Sequence, residues 1–154
     1  MSIQDEVALL RRIPLFARIA PTTLKLLAFT SERVAYEEGQ ALFQQGDEGD
    51  AAFVIIDGEA DILVDTPGGA LSVAKVKKND FVGEIAILCE VPRTATVKAL
   101  SRVETLRIDK EQFFKLMKEF PELSIEVMRV LAQRLTHTTE ELAETRRQLQ
   151  NGTA

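Results

Sequence analysis

At 154 residues, with 45% apolar and 28% charged side chains, the chain has the make-up of one globular domain whose core needs no disulfide or metal staple. A net charge of −5 works against gripping nucleic-acid phosphates unaided, and one cysteine (Cys89) and one histidine (His137) are too few for a disulfide or a metal centre. No leader-like start and no apolar run of about 18 residues is found, so the sequence predicts a cytosolic protein without a membrane span.

Residues 4–12 place Val7, Ala8, Leu9 and Leu10 on a helical period, and Ile13-Pro14 ends it, because proline disfavours helix at the residue before it. Pro21-Thr22-Thr23 starts a second helix through Leu24, Leu26, Leu27, Ala28 and Phe29, with Leu15-Phe16 between the two as a packing anchor. From Arg33 to Ile108 the pattern changes to short strands: Arg33–Tyr36, Ala41–Gln44, Ala52–Ile56, Glu59–Val64, Leu71–Val76, Ala95–Ala99 and Glu104–Ile108. Glu38-Gly39, the run Gly46 to Asp50, Asp57-Gly58 and Pro67-Gly68-Gly69 separate them, and Asp57-Gly58 reads as a tight hairpin. Many short, evenly spaced strands predict a mainly β fold with flanking helices, an antiparallel β-roll of jelly-roll type. Such a roll holds one small ligand at its mouth, against strand side chains such as Val54, Ile62 or Val73.

The most informative stretch is Asp80 to Val97. A strand end, Phe81-Val82, meets Gly83, which permits close backbone approach. A short helical turn from Glu84 to Leu88 directs free N–H groups at an anion, those of Ile85 to Ile87 foremost. Pro92 then delivers Arg93, which can fork onto two phosphate oxygens, into a β-branched run. Glu84 is an acceptor suited to a sugar hydroxyl. An anion site beside a hydroxyl acceptor describes the phosphate and ribose of a nucleotide. Taken alone, Arg93 reads better as a surface ion pair, with Glu90 the candidate partner, and Glu84 as a helix N-terminal acid. Cys89, inside this apolar turn, reads as a small core residue.

Gly83-Glu84-Ile85-Ala86 followed by Pro92-Arg93-Thr94-Ala95-Thr96-Val97 resembles the phosphate-binding cassette of the cyclic nucleotide-binding domains, the family that includes kinase regulatory subunits, gated channels and bacterial catabolite activators. Gly39, Gly46, Gly49 and Gly58 resemble the glycines that shape the family's roll, and Pro14-Leu15-Phe16 a turn that moves with ligand. Lys78-Asn79-Asp80 departs from the Gly-Asp often found there, at little cost because asparagine tolerates the left-handed turn. A threonine at Thr94 goes with guanine preference in cyclic-GMP kinases, but bacterial cyclic-AMP binders also carry a hydroxyl residue there.

Asp109 is expected to cap a short helix burying Phe113, Phe114, Leu116 and Met117, and Pro121 to start a long one from about Glu122 to Leu149. Met128, Leu135, Leu142 and Leu149 recur every seventh residue, a pattern for a dimer seam, although the companion row of Ile125, Ala132, Thr139 and Arg146 is half polar. The alternative is a helix that packs only on its own roll. Leu131 to Glu140 resembles the dimer helix of catabolite activators, which implies that Arg134 pairs with Glu84 and that Thr138 and Thr139 face the purine, one of them from a second subunit. His137 reads as a solvated helix residue. Only Gln150-Asn151-Gly152-Thr153-Ala154 follow the helix, so no helix-turn-helix and no direct DNA binding are expected.

These readings predict one cyclic nucleotide-binding domain over 1–154: N-terminal helices at 1–30, a β-roll at 33–108 and C-terminal helices at 109–150. The expected binding set is Val73 from the roll, Phe81, Val82, Gly83, Glu84, Ile85, Ala86, Pro92, Arg93, Thr94 and Ala95 from the cassette, and Arg134, Thr138 and Thr139 from the last helix. The implied ligand is cyclic AMP, with cyclic GMP possible. No cofactor, no metal and no catalysis are expected, and the partners are a second copy through the long helix and a separate effector protein. Two other classes stay in view: a ligand-free roll that dimerises or docks a partner through its long helix, and a cupin-like enzyme, which one histidine disfavours.

Overall fold

A computed structural model describes residues 2–152, so the expectation for Thr153 and Ala154 lies outside the described residues. Ser2 caps helix α1 (Ile3–Arg11) through a reciprocal box with Asp5, whose backbone N–H donates to the serine hydroxyl at 3.2 Å. A 3-10 turn at Pro14–Phe16 buries both Leu15 and Phe16, and Pro21 opens α2 (Pro21–Thr30). The strands are β1 (Glu32–Tyr36), β2 (Ala41–Phe43), β3 (Ala51–Asp57), β4 (Glu59–Thr66), β5 (Gly69–Lys77), β6 (Phe81–Val82), β7 (Thr96–Ala99) and β8 (Val103–Asp109). Helix α3 (Glu84–Cys89) interrupts them, and α4 (Lys110–Glu119) and α5 (Pro121–Gly152) end the described chain.

The strands form two antiparallel four-stranded sheets, ordered β1-β8-β3-β6 and β2-β7-β4-β5. This is the jelly-roll architecture expected, with strand ends within two or three residues of those read from sequence. The continuous apolar run of β3 is explained by burial on both faces. Ala51, Phe53 and Ile55 point into the roll with Val82, Val97 and Val103. Ala52, Val54 and Ile56 point outward onto Leu15, Phe16, Leu116, Leu123 and Val127 of the helical layer. Val54 is thereby removed from the ligand-supporting role expected of it.

Three further expectations are corrected. Asp57-Gly58 is no hairpin: β3 pairs with β6 and β8 while β4 pairs with β5 and β7, so the turn carries the chain from one sheet to the other. Gly58 adopts φ +93°, and a Cβ there would lie 2.2 Å from the Arg102 carbonyl oxygen. Cys89 is exposed, because the short α3 ends there and turns its last residue outward. Asp109 occupies the N-cap position of α4 but makes no capping hydrogen bond; its carboxylate accepts from Arg107 instead. Asn79 does take the left-handed conformation, at φ 79°.

Candidate functional site

The site is built on the turn from β6 into α3. Gly83 takes φ +88°, and a Cβ there would lie 2.8 Å from Nη1 of Arg93. Glycine is needed for both reasons, conformation and close approach. The Gly83 carbonyl accepts from Arg93 Nη1 at 2.8 Å, and the Ala51 carbonyl accepts from Nη2 at 2.6 Å. The guanidinium also stacks over the Phe43 ring, 4.1 Å from its centroid. The Arg93 backbone is clamped to the β2–β3 turn: its N–H donates to Asp47 and its carbonyl accepts from Gly46. Gly49 lets that turn pack against α3, since a Cβ there would fall 2.5 Å from the Ala86 Cβ.

Arg93 is only 3% exposed, yet its Nε has no hydrogen-bond partner among the described residues. Burial pulls its pKa below the usual arginine range, and the neighbouring Asp50 carboxylate opposes this. A buried guanidinium with an unused donor suits an anion. The expected pairing with Glu90 does not occur; the charged partner is Asp50, at 3.5 Å.

Glu84 is equally buried and accepts from Arg134 Nη1 at 2.9 Å. Arg134 also donates to the Phe81 carbonyl and lies 4.5 Å from the centroid of the Phe81 ring. One side chain of α5 thus holds both ends of the β6–α3 turn. Burial pushes the Glu84 carboxyl above the ordinary glutamate range, and Arg134 pulls it back in part. With a raised folded-state pKa, the contribution of this group to stability is full below the ordinary glutamate value and fades as pH rises through the raised one. Glu84→Gln should therefore gain in unfolding temperature relative to the parent as pH goes from about 4 to about 7. A melting difference that stays flat with pH would show that the carboxyl titrates as an exposed one.

These elements enclose a cavity of about 420 Å³, within the range of about 300–1,000 Å³ common for small-ligand sites. Of the expected set, Val73, Val82, Gly83, Glu84, Ile85, Ala86, Arg93, Thr94, Ala95, Arg134 and Thr138 line it, as does Ile62. Phe81, Pro92 and Thr139 do not line it. Phe81 is packed in the helix-side core, where it supports Arg134 from beneath. Pro92 shapes the connector, and the Thr139 hydroxyl donates to the Leu135 carbonyl one turn back on an exposed face of α5.

Sequence reasoning missed Phe43, Ala74, Val97, Leu131 and, as a cavity residue, Leu135. Leu131, Arg134, Leu135 and Thr138 follow the spacing of one helix face, which could have signalled Leu131 and Leu135. Ala74 has a different cause. The β4–β5 register slips between Ile62 and Leu63 and leaves Val73 without an opposite residue, so Val73 and Ala74 both reach the cavity. Among the described residues no group of His, Cys, Asp or Glu is placed to hold a metal ion, and no helix is long and apolar enough to cross a membrane.

The chain is similar to proteins of several kinds. It is 30% identical over 135 residues, 87% of its length, to a lysophospholipase (nte1) of Aspergillus fumigatus, and covers 9% of that enzyme. It is 28% identical over 91% of its length to a CRP-like cAMP-activated global transcriptional regulator of Mycobacterium tuberculosis, and covers 62% of it. The structure superposes on the catabolite activator protein of Thermus thermophilus with a TM-score of 0.75 at 28% identity, covering 84% of this chain and 61% of that one. The chain thus corresponds to only part of each of these relatives. The profile of the family described as "Cyclic nucleotide-binding domain" matches residues 33–120, from β1 to the end of α4. The matched residues hold the whole roll and the turn joining Gly83, Glu84 and Arg93, and the chain belongs to the cyclic nucleotide-binding domain family.

Proposed function

We propose that this chain is a non-catalytic receptor domain for a cyclic nucleotide, with cyclic AMP the favoured ligand and cyclic GMP the second. The observation that carries the reading is the buried Arg93, with an unpartnered Nε, on the wall of a cavity that also holds the carboxylate of Glu84. The cyclic phosphate meets Arg93 and the ribose hydroxyl meets Glu84. The purine lies against the apolar wall of Ile62, Val73 and Leu131, within reach of the Thr94 and Thr138 hydroxyls. The two bacterial activators to which the chain is 28% identical, one named as cAMP-activated, support cyclic AMP over cyclic GMP.

Binding favours one placement of α5, because Arg134 joins that helix to the turn that meets the ligand. A second copy joins through the exposed row of Met128, Leu135, Leu142 and Leu149. Leu142→Glu is accordingly expected to halve the mass seen by light scattering; an unchanged mass would remove the row from the interface. The domain works in the cytosol, passing the signal to an effector protein.

Titration calorimetry with cyclic AMP, cyclic GMP and 5′-AMP tests the reading. Cyclic AMP at 100 times its Kd should also add about 2.7 kcal/mol to the unfolding free energy. Heat and stabilisation with neither cyclic nucleotide would leave the second reading, a roll that only docks a partner. That reading draws on the same exposed α5 row and on Glu84 being already engaged by Arg134.

A further inference from the structure

Asp50, the residue before β3, stands between two arginines. Its Oδ2 accepts from Arg107 Nη2 at 3.0 Å, while its Oδ1 lies 3.5 Å from Arg93 Nη2. The shorter, better bond is the one to Arg107. Arg107 is itself fixed on β8 by Asp109 and, at 3.9 Å, by Glu32, and its side chain is 24% exposed. The Asp50 side chain is 68% exposed and touches both cations at once, one oxygen on each, while its backbone carbonyl accepts from the Lys110 N–H at 2.9 Å.

Arg93 does not need Asp50 for orientation. The Gly83 and Ala51 carbonyls already hold both of its terminal nitrogens. What Asp50 can do at Arg93 is compete, as a carboxylate, with any other anion there. We propose that Arg107 is a positioning residue for anion binding: its shorter bond holds the Asp50 carboxylate to a weaker, 3.5 Å approach to Arg93 and so leaves that guanidinium available to the phosphate of a ligand. The inference rests on the cyclic-nucleotide reading of the cavity. It assigns a role to a residue that does not line the cavity and lies on the opposite sheet edge of β3 from the cassette strand, since β8 and β6 flank β3.

The neutral variant Arg107→Gln releases Asp50 to close on Arg93. Cyclic AMP should then bind about three- to fivefold more weakly by calorimetry, the size expected of a partly exposed ion pair. Asp50→Asn removes the competitor and should bind at least as tightly as the parent. The double variant Arg107→Gln/Asp50→Asn should match Asp50→Asn, because Arg107 then has nothing to restrain. Urea unfolding of all four proteins keeps folded fractions comparable. Unchanged affinity in Arg107→Gln overturns the proposal. So does a loss of the same size in the Asp50→Asn background, which would make Arg107 a distant positive charge and nothing more. A parent chain that binds no cyclic nucleotide overturns the reading of the cavity itself, and this proposal with it.

Discussion

Arg93→Ala should weaken the binding of cyclic AMP about thirtyfold or more while the chain stays folded. The guanidinium is buried and stacked on Phe43, so a phosphate reaching it exchanges little water for a charge-assisted bond. Losing one side of such a buried pair costs about 2–5 kcal/mol, a weakening of about thirtyfold or more. The fold also loses something. The Gly83 and Ala51 carbonyls give up their donors, at about 1–3 kcal/mol for each group left unsatisfied. The variant must therefore be compared with the parent by titration at a temperature where urea curves show both folded. Affinity within threefold of the parent (threefold being about 0.6 kcal/mol) would take Arg93 out of the binding site.

The largest effect on stability is expected at Gly58. Alanine there must adopt φ +93° and must also place its Cβ 2.2 Å from the Arg102 carbonyl oxygen and 3.0 Å from the Val103 Cα. Both neighbours are backbone and cannot swing away. Left-handed strain of about 1–2 kcal/mol and an overpacking penalty of about 1–3 kcal/mol then add. Gly39→Ala separates the two terms: its φ is +90°, but nothing lies within 4 Å of the added carbon. Urea unfolding should rank Gly58→Ala well below Gly39→Ala, with Gly39→Ala about 1 kcal/mol below the parent. Equal losses at the two sites would mean that the β3–β4 corner yields to the intrusion.

What the sequence made legible was local chemistry. Gly83, Glu84, Pro92 and Arg93 fall in one short stretch, and each has a residue type that restricts what it can do, so the turn and its charges could be read without knowing the packing. Arg134 opposite Glu84 came from resemblance and is met in the structure at 2.9 Å. What stayed hidden was set by tertiary context. Phe43 reads as an ordinary strand residue until the roll closes and brings Arg93 over its ring. Ala74 reads as facing away from Val73 until a register slip turns both inward. Asp57-Gly58 reads as a hairpin because dipeptide preference cannot tell a turn within a sheet from one between sheets. Val54 was misplaced for a related reason: a strand apolar on both faces does not announce which face meets the helices.

Leu135 is 68% exposed, yet it borders the cavity and belongs to the seven-residue row on α5. A ligand in the cavity and a second copy seated on that row, as proposed above, would both touch this side chain, and each would then bias the rotamer the other meets. On that proposal ligand affinity is expected to change with protein concentration across the range where copies associate, and by reciprocity association should tighten or loosen by the same factor when ligand is added.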